Sequence, residues 1–115
     1  MTGVQTCALP ISDPTAAGGV VPGFADQRQL ELLVEAGFTP LEAIRIATLN
    51  GARYLGRDGQ IGSLTAGKQA DMVVVTGDPS TDISALRNVD TVFKRGAGYS
   101  PARLVDSVRG SVGLW

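Results

Sequence analysis

Thr39-Pro40-Leu41-Glu42-Ala43-Ile44-Arg45-Ile46-Ala47-Thr48-Leu49-Asn50-Gly51-Ala52-Arg53-Tyr54-Leu55-Gly56 is the stretch whose reading decides how this chain folds. Thr39 stands three residues ahead of Glu42, and Pro40 takes the first helical position. That is a capping box: the threonine oxygen accepts from the N–H near Glu42, and the glutamate reaches back to the N–H of Thr39. The helix should run to about Leu55, with Gly56 as its left-handed stop. Leu41, Ile44, Ile46, Leu49 and Leu55, with the small Ala43, Ala47 and Ala52, make it apolar over most of its girth. A helix of that kind is expected between other layers rather than on a surface.

Outward toward the N-terminus, a second helix is predicted to start between Phe24 and Asp26 and to end at Gly37. Leu30, Leu33 and Val34 take the i, i+3, i+4 positions of its apolar stripe, and Arg28, Glu31 and Glu35 form its polar face. The two helices meet at Gly37-Phe38 as a helical hairpin. Ser12–Gly23, with Pro14, Gly18, Gly19, Pro22 and Gly23, reads as a loop. Toward the C-terminus the pattern changes to strands and turns. Gln60–Leu64 is expected as a short strand, Ala66-Gly67 as a turn, and Met72–Val75 as a buried strand bounded by Gly77-Asp78-Pro79. Thr91–Lys94 reads as a further strand closed by Gly96-Ala97-Gly98, and Ser100-Pro101 as the cap of a last helix running to about Arg109, with Leu104 and Val108 on one face.

Composition narrows the function classes. With 115 residues the chain is one domain or part of one. Its 10 basic and 11 acidic residues leave a net charge of −1, with no block of like charge, so neither nucleic acid nor an anionic membrane is an expected partner. No apolar run approaches the roughly 18 residues needed to span a bilayer. There is one cysteine, Cys7, and no histidine. This chain by itself therefore builds no Ser-His-Asp triad, no Cys-His pair and no ordinary catalytic zinc site. Thr2–Ile11 is what a common sequencing adapter yields when translated in one frame; residues 1–12 are accordingly expected to be an artefact, set aside before fold reasoning, with the natural chain entering mid-domain near Asp13.

Few residues are candidates for chemistry. Asp13, before Pro14, is either a turn former or a catalytic carboxylate. Gly18, Gly19 and Gly23 do not form a phosphate cradle, since Gly67-Lys68 is followed by Gln69 rather than Ser or Thr. Asp71, at a strand edge, is expected to accept turn N–H groups rather than to act in catalysis, and Asp78 is read as turn chemistry. Leu114 and Trp115 are either a docking tail or simply an end.

Taken together, Gly19-Val20-Val21-Pro22-Gly23-Phe24, Leu30–Gly37, Thr39–Ile44 with Ala47-Thr48-Leu49-Asn50, Ile61-Gly62-Ser63-Leu64, Gly67–Val74 and Gly77-Asp78-Pro79 resemble the amidohydrolase superfamily, and within it the imidazolonepropionase-like branch. The resemblance implies an α/β fold: the C-terminal fragment of a (β/α)8 metal-dependent hydrolase barrel plus half of the adjoining small β-sandwich. Residues 13–56 would end the barrel, 57–99 would be the C-terminal part of the composite sandwich, and 100–115 a terminal helix and tail. Ser12-Asp13 matches the end of the family's Gly-Thr/Ser-Asp context, with Ile11 at the glycine position. Asp13 would then touch the metal, take a proton from metal-bound water and pass it to the leaving nitrogen. The implied cofactor is a divalent metal, zinc, in the intact parent, bound mostly by upstream histidines, with none expected for the fragment alone. The implied substrates are small amides, cyclic amides or dipeptides, and a cytoplasmic location is expected. The rival reading is a non-enzymatic module of β-sandwich and helices that binds a partner.

Overall fold

The computed structural model describes residues 24–110. Helix α1 spans Phe24–Glu35. It ends where Gly37 takes a φ of 102°, with Gly37 N–H donating to the Val34 carbonyl and Phe38 N–H to that of Leu33. This pair of bonds, closed around a left-handed glycine, is a Schellman stop.

The predicted capping box is present at the head of α2, Pro40–Arg45. Thr39 Oγ1 accepts from Glu42 N–H at 3.3 Å, and the Glu42 carboxylate accepts from Thr39 N–H at 2.8 Å. The helix continues through a wider π segment, Ile46–Asn50, into α3, Gly51–Tyr54. Within it the Thr48 hydroxyl donates to the Ile44 carbonyl at 2.7 Å, a side-chain bond that competes with the regular ladder. Gly56, at a φ of 64°, closes a second Schellman stop through Gly56 N–H to Arg53 and Arg57 N–H to Ala52.

The expectation of a helix covered on most sides is corrected. Ala43, Ile46 and Ala52 are buried, but Leu41 is 62% and Leu55 63% exposed. Among the described residues one face of this helix packs against α1 and the segment after Gly56, and the opposite face meets solvent.

Gln60–Leu64 is not a strand. Gln60 and Ile61 N–H groups both turn back to the Arg57 carbonyl, and Gly62 has a φ of 87°. The reason is packing rather than pairing. A side-chain carbon on Gly62 would lie 2.5 Å from Ala52 Cβ and 3.1 Å from the Thr48 carbonyl oxygen. Only a glycine lets this segment sit so close to the helix, and the left-handed backbone it needs is foreign to a strand.

The strands β1 (Met72–Val75), β2 (Val89–Lys94) and β3 (Ala97–Tyr99) form one antiparallel sheet in the order β1-β2-β3. Met72 lies opposite Phe93 and Val74 opposite Thr91, with an irregularity between Val74 and Val75. β1 is an edge strand, and Val73 and Val74 are 58% and 45% exposed, which corrects the expectation of a buried strand. Gly96-Ala97-Gly98 does not close the sheet as expected: Ala97 and Gly98 belong to β3. Arg95 and Gly96 form the turn, both with positive φ, the geometry of a two-residue hairpin loop. A 3-10 helix at Ile83–Arg87, with Ile83 and Ala85 buried, links β1 to β2. Helix α4, Pro101–Ser107, stops short of Arg109, and Ser100 occupies its N-cap without a side-chain hydrogen bond. Leu104 and Val108 are both exposed. No described helix is long and apolar enough to cross a membrane.

Candidate functional site

Asp13, the Pro14–Gly23 loop and the tail with Leu114 and Trp115 lie outside the described residues. What the structure places is the surrounding of that loop in sequence: α1, which follows it directly, and the unit that holds α1.

The two carboxylates that the sequence singles out among the described residues, Asp71 and Asp78, are committed to structure. Asp71 Oδ1 accepts the Arg95 N–H at 2.8 Å, while Oδ2 accepts Lys94 Nζ at 2.6 Å and Gln69 Nε2 at 2.6 Å. These bonds, that from Lys94 foremost, hold its carboxyl below the usual carboxylate range. Asp71 thus secures the strained Arg95-Gly96 turn, in line with the sequence reading of a turn acceptor. Asp78 Oδ1 accepts the Ser80 hydroxyl at 2.6 Å and the Ser80 N–H at 2.9 Å, which lowers its pKa likewise. Both are hydrogen-bonded anions, a poor start for a general base near neutral pH.

The residue that local sequence reasoning placed least well is Glu31. It belongs to the polar face of α1, yet its side chain is only 13% exposed. Arg87, 56 residues away on the 3-10 helix, grips it with two bonds of 2.5 and 2.7 Å. Arg28 adds a third at 3.1 Å, and Gln27 Nε2 reaches the Leu86 carbonyl at 3.3 Å. The bidentate arginine, and to a lesser degree Arg28, draws the Glu31 pKa from 4.5 down to about 2 against the cost of partial burial. A long-range partner leaves no trace in the local pattern, so no sequence signal marks this pair. Its effect is to clamp α1 to the sheet unit.

The chain has no histidine, and no group of three or more His, Cys, Asp or Glu among the described residues could hold an ion. The described residues do not fit a divalent-metal centre, which needs three or four such ligands.

Residues 11–97 match the model of the amidohydrolase family. The chain is 32% identical over 85 residues to adenine deaminase 3 of Rhizobium meliloti, covering 74% of this chain and 13% of that protein. It is 33% identical over 96 residues to the imidazolonepropionase of Geobacillus kaustophilus, covering 81% of this chain and 21% of the other. Among solved structures it is similar to a Xaa-Pro dipeptidase, with a TM-score of 0.62 and 39% identity over 64% of this chain and 18% of that one. The chain therefore spans between an eighth and about a fifth of the length of these relatives.

Proposed function

Because this chain belongs to the amidohydrolase family, we propose that it is the C-terminal part of a metal-dependent hydrolase acting on carbon–nitrogen bonds of small amides, cyclic amides or dipeptides. The observation that carries the reading is the family match over residues 11–97 joined to a described portion without a metal-ligand set. The substrate range follows the relatives, among them an adenine deaminase and a Xaa-Pro dipeptidase, whose names denote cleavage of carbon–nitrogen bonds, and an imidazolonepropionase. Solved neighbours are (β/α)8 barrel enzymes by family. In this proposal residues 13–56 end that barrel and residues 57–99 are half of a small sandwich beside it.

Members of the family are generally metal-dependent. As the described residues do not fit the metal, we place its ligands elsewhere in the parent, with zinc as the proposed ion. Asp13 is proposed as the one carboxylate this chain adds to the centre, and as the group that carries a proton to the leaving nitrogen. The Pro14–Gly23 segment is proposed to line the mouth of that site; α1, which follows it in sequence, is clamped by Arg87 through Glu31. Substrate choice lies in the other loops of such a barrel.

The 115-residue chain alone is expected to be inactive. Purified tag-free protein, assayed with and without added zinc on a simple amide and on a dipeptide, should show no metal-dependent turnover. Turnover that appears with zinc and disappears with chelator contradicts the proposal. The rival reading, a partner-binding module, has one observation in its favour: the helical hairpin and the sheet are tied together within the described residues. A monomer that unfolds cooperatively without binding an apolar dye supports the module. Dye binding at the exposed Leu41, Leu55 and Val73 supports a part torn from a larger core.

A further inference from the structure

Two residue pairs in this chain have the chemistry for spontaneous backbone rearrangement: Asn50-Gly51 and Asp58-Gly59. In each, the glycine N–H can attack the side-chain carbonyl of the residue before it, because glycine adds no side chain to block the approach. By side-chain chemistry alone the asparagine pair reacts faster, since an amide loses ammonia more readily than a carboxyl loses water. The fold reverses that order. Asn50 and Gly51 lie within the long helix, both half-buried, at helical φ and ψ. The Gly51 N–H is already donated to the Thr48 carbonyl, so attack requires the helix to open there.

Asp58-Gly59 is in the opposite state. The Arg57–Gln60 turn is closed by Gln60 N–H to the Arg57 carbonyl at 2.8 Å, which puts Asp58 and Gly59 at its two central positions. Both are exposed. Lys68 Nζ donates to the Asp58 main-chain carbonyl, but no described residue bonds the Asp58 carboxyl or receives the Gly59 N–H. Nucleophile and electrophile are therefore adjacent, in water and uncommitted.

We propose that Asp58 is a modification site, where the folded chain ages by isomerisation to isoaspartate. The Gly59 nitrogen bonds to Asp58 Cγ, the carboxyl oxygen leaves as water, and the amide proton is lost, giving a five-membered imide. Water then adds back to either imide carbonyl. Opening at the main-chain carbonyl leaves the chain running through the former side chain, with one extra methylene in the backbone. Water is the sole co-reactant and the mass returns to its starting value.

The test is peptide mapping by mass spectrometry, with fragmentation that separates aspartate from isoaspartate, after prolonged incubation of the 115-residue chain in warm neutral buffer. Folded protein should accumulate isoaspartate at position 58 while Asn50 keeps its amide. The same incubation in concentrated urea should reverse the order, with Asn50 deamidating ahead of any change at Asp58. Gly59→Ala is the matching variant: its added carbon meets no atom within 4 Å and the position is not left-handed, so the fold is unchanged and the rate should fall several-fold. Isoaspartate absent from position 58, faster change at Asn50 in the folded protein, or an unaltered rate in Gly59→Ala would each overturn the assignment.

Discussion

Residues 24–56 and residues 72–99 reach order by different routes. In the helical hairpin almost every polar main-chain group finds its partner within five residues, and the ends are finished by local devices: the Thr39–Glu42 box and the two stops at Gly37 and Gly56. In the sheet unit the partners lie far apart in the chain, as Met72 with Phe93 or Asp71 with the Arg95 turn. The hairpin buries Ala43, Ile46 and Ala52, whereas β1 leaves Val73 and Val74 in contact with solvent. A helix closes its own hydrogen bonds and needs neighbours only for its apolar stripe; a strand needs neighbours for both. Among the described residues, the difference separates a hairpin that closes its own hydrogen bonds from a sheet whose outer strand faces solvent.

The contrast can be pressed by mutation. Ile46→Ala removes the largest buried side chain of the hairpin and should cost about 2–4 kcal/mol in urea unfolding. A much smaller loss would show that the hairpin has no real core of its own. Gly62→Ala attacks the joint between the two regions. Its methyl would meet Ala52 and must accept a left-handed backbone, for a loss of about 1–3 kcal/mol. Wild-type stability for that variant would mean that the 57–70 segment does not rest on the helix.

Glu31→Gln tests the clamp through pH. The folded pKa of Glu31 is lowered to about 2 from 4.5, so its contribution is fully present above the unfolded value and is lost as pH falls toward the folded one. Wild type should lose stability relative to Glu31→Gln across that window, and the difference between the two should be constant from about pH 5 to neutrality. A difference that ignores acid would remove Arg87 as the partner that matters. Last, Val73→Lys should change the stability of this chain by no more than about 0.5 kcal/mol, because the site is solvent-facing. A large loss would reveal a covering surface on β1.

The same division governs what the amino-acid order discloses. Caps, stops and the hairpin were legible because threonine, proline, glutamate and glycine act on neighbours a few residues away. The strands Met72–Val75 and Thr91–Lys94 were legible as runs of β-branched residues, but their exposure was not, since burial depends on what else is present. Gln60–Leu64 was misread because Gly62 answers to Ala52, ten positions earlier and across a packing contact. β3 was missed because Arg95, not a usual turn residue, takes a positive φ with help from Asp71. The Glu31–Arg87 pair was invisible for the reason that all long-range ion pairs are. Of the site itself, Asp13 stood out as a carboxylate before proline, either a turn former or catalytic; its metal and proton-transfer role came only from the resemblance, and it lies outside the described residues.

The proposed function makes this chain the C-terminal part of a longer enzyme whose metal ligands lie upstream. Sequencing native genomic DNA across the Asp13 codon tests that most directly. The codons for Thr2–Ile11 should be absent there, and an open frame should continue upstream through barrel sequence carrying histidines. Native DNA in which those codons run unbroken into Asp13, with no such frame ahead of them, would contradict it.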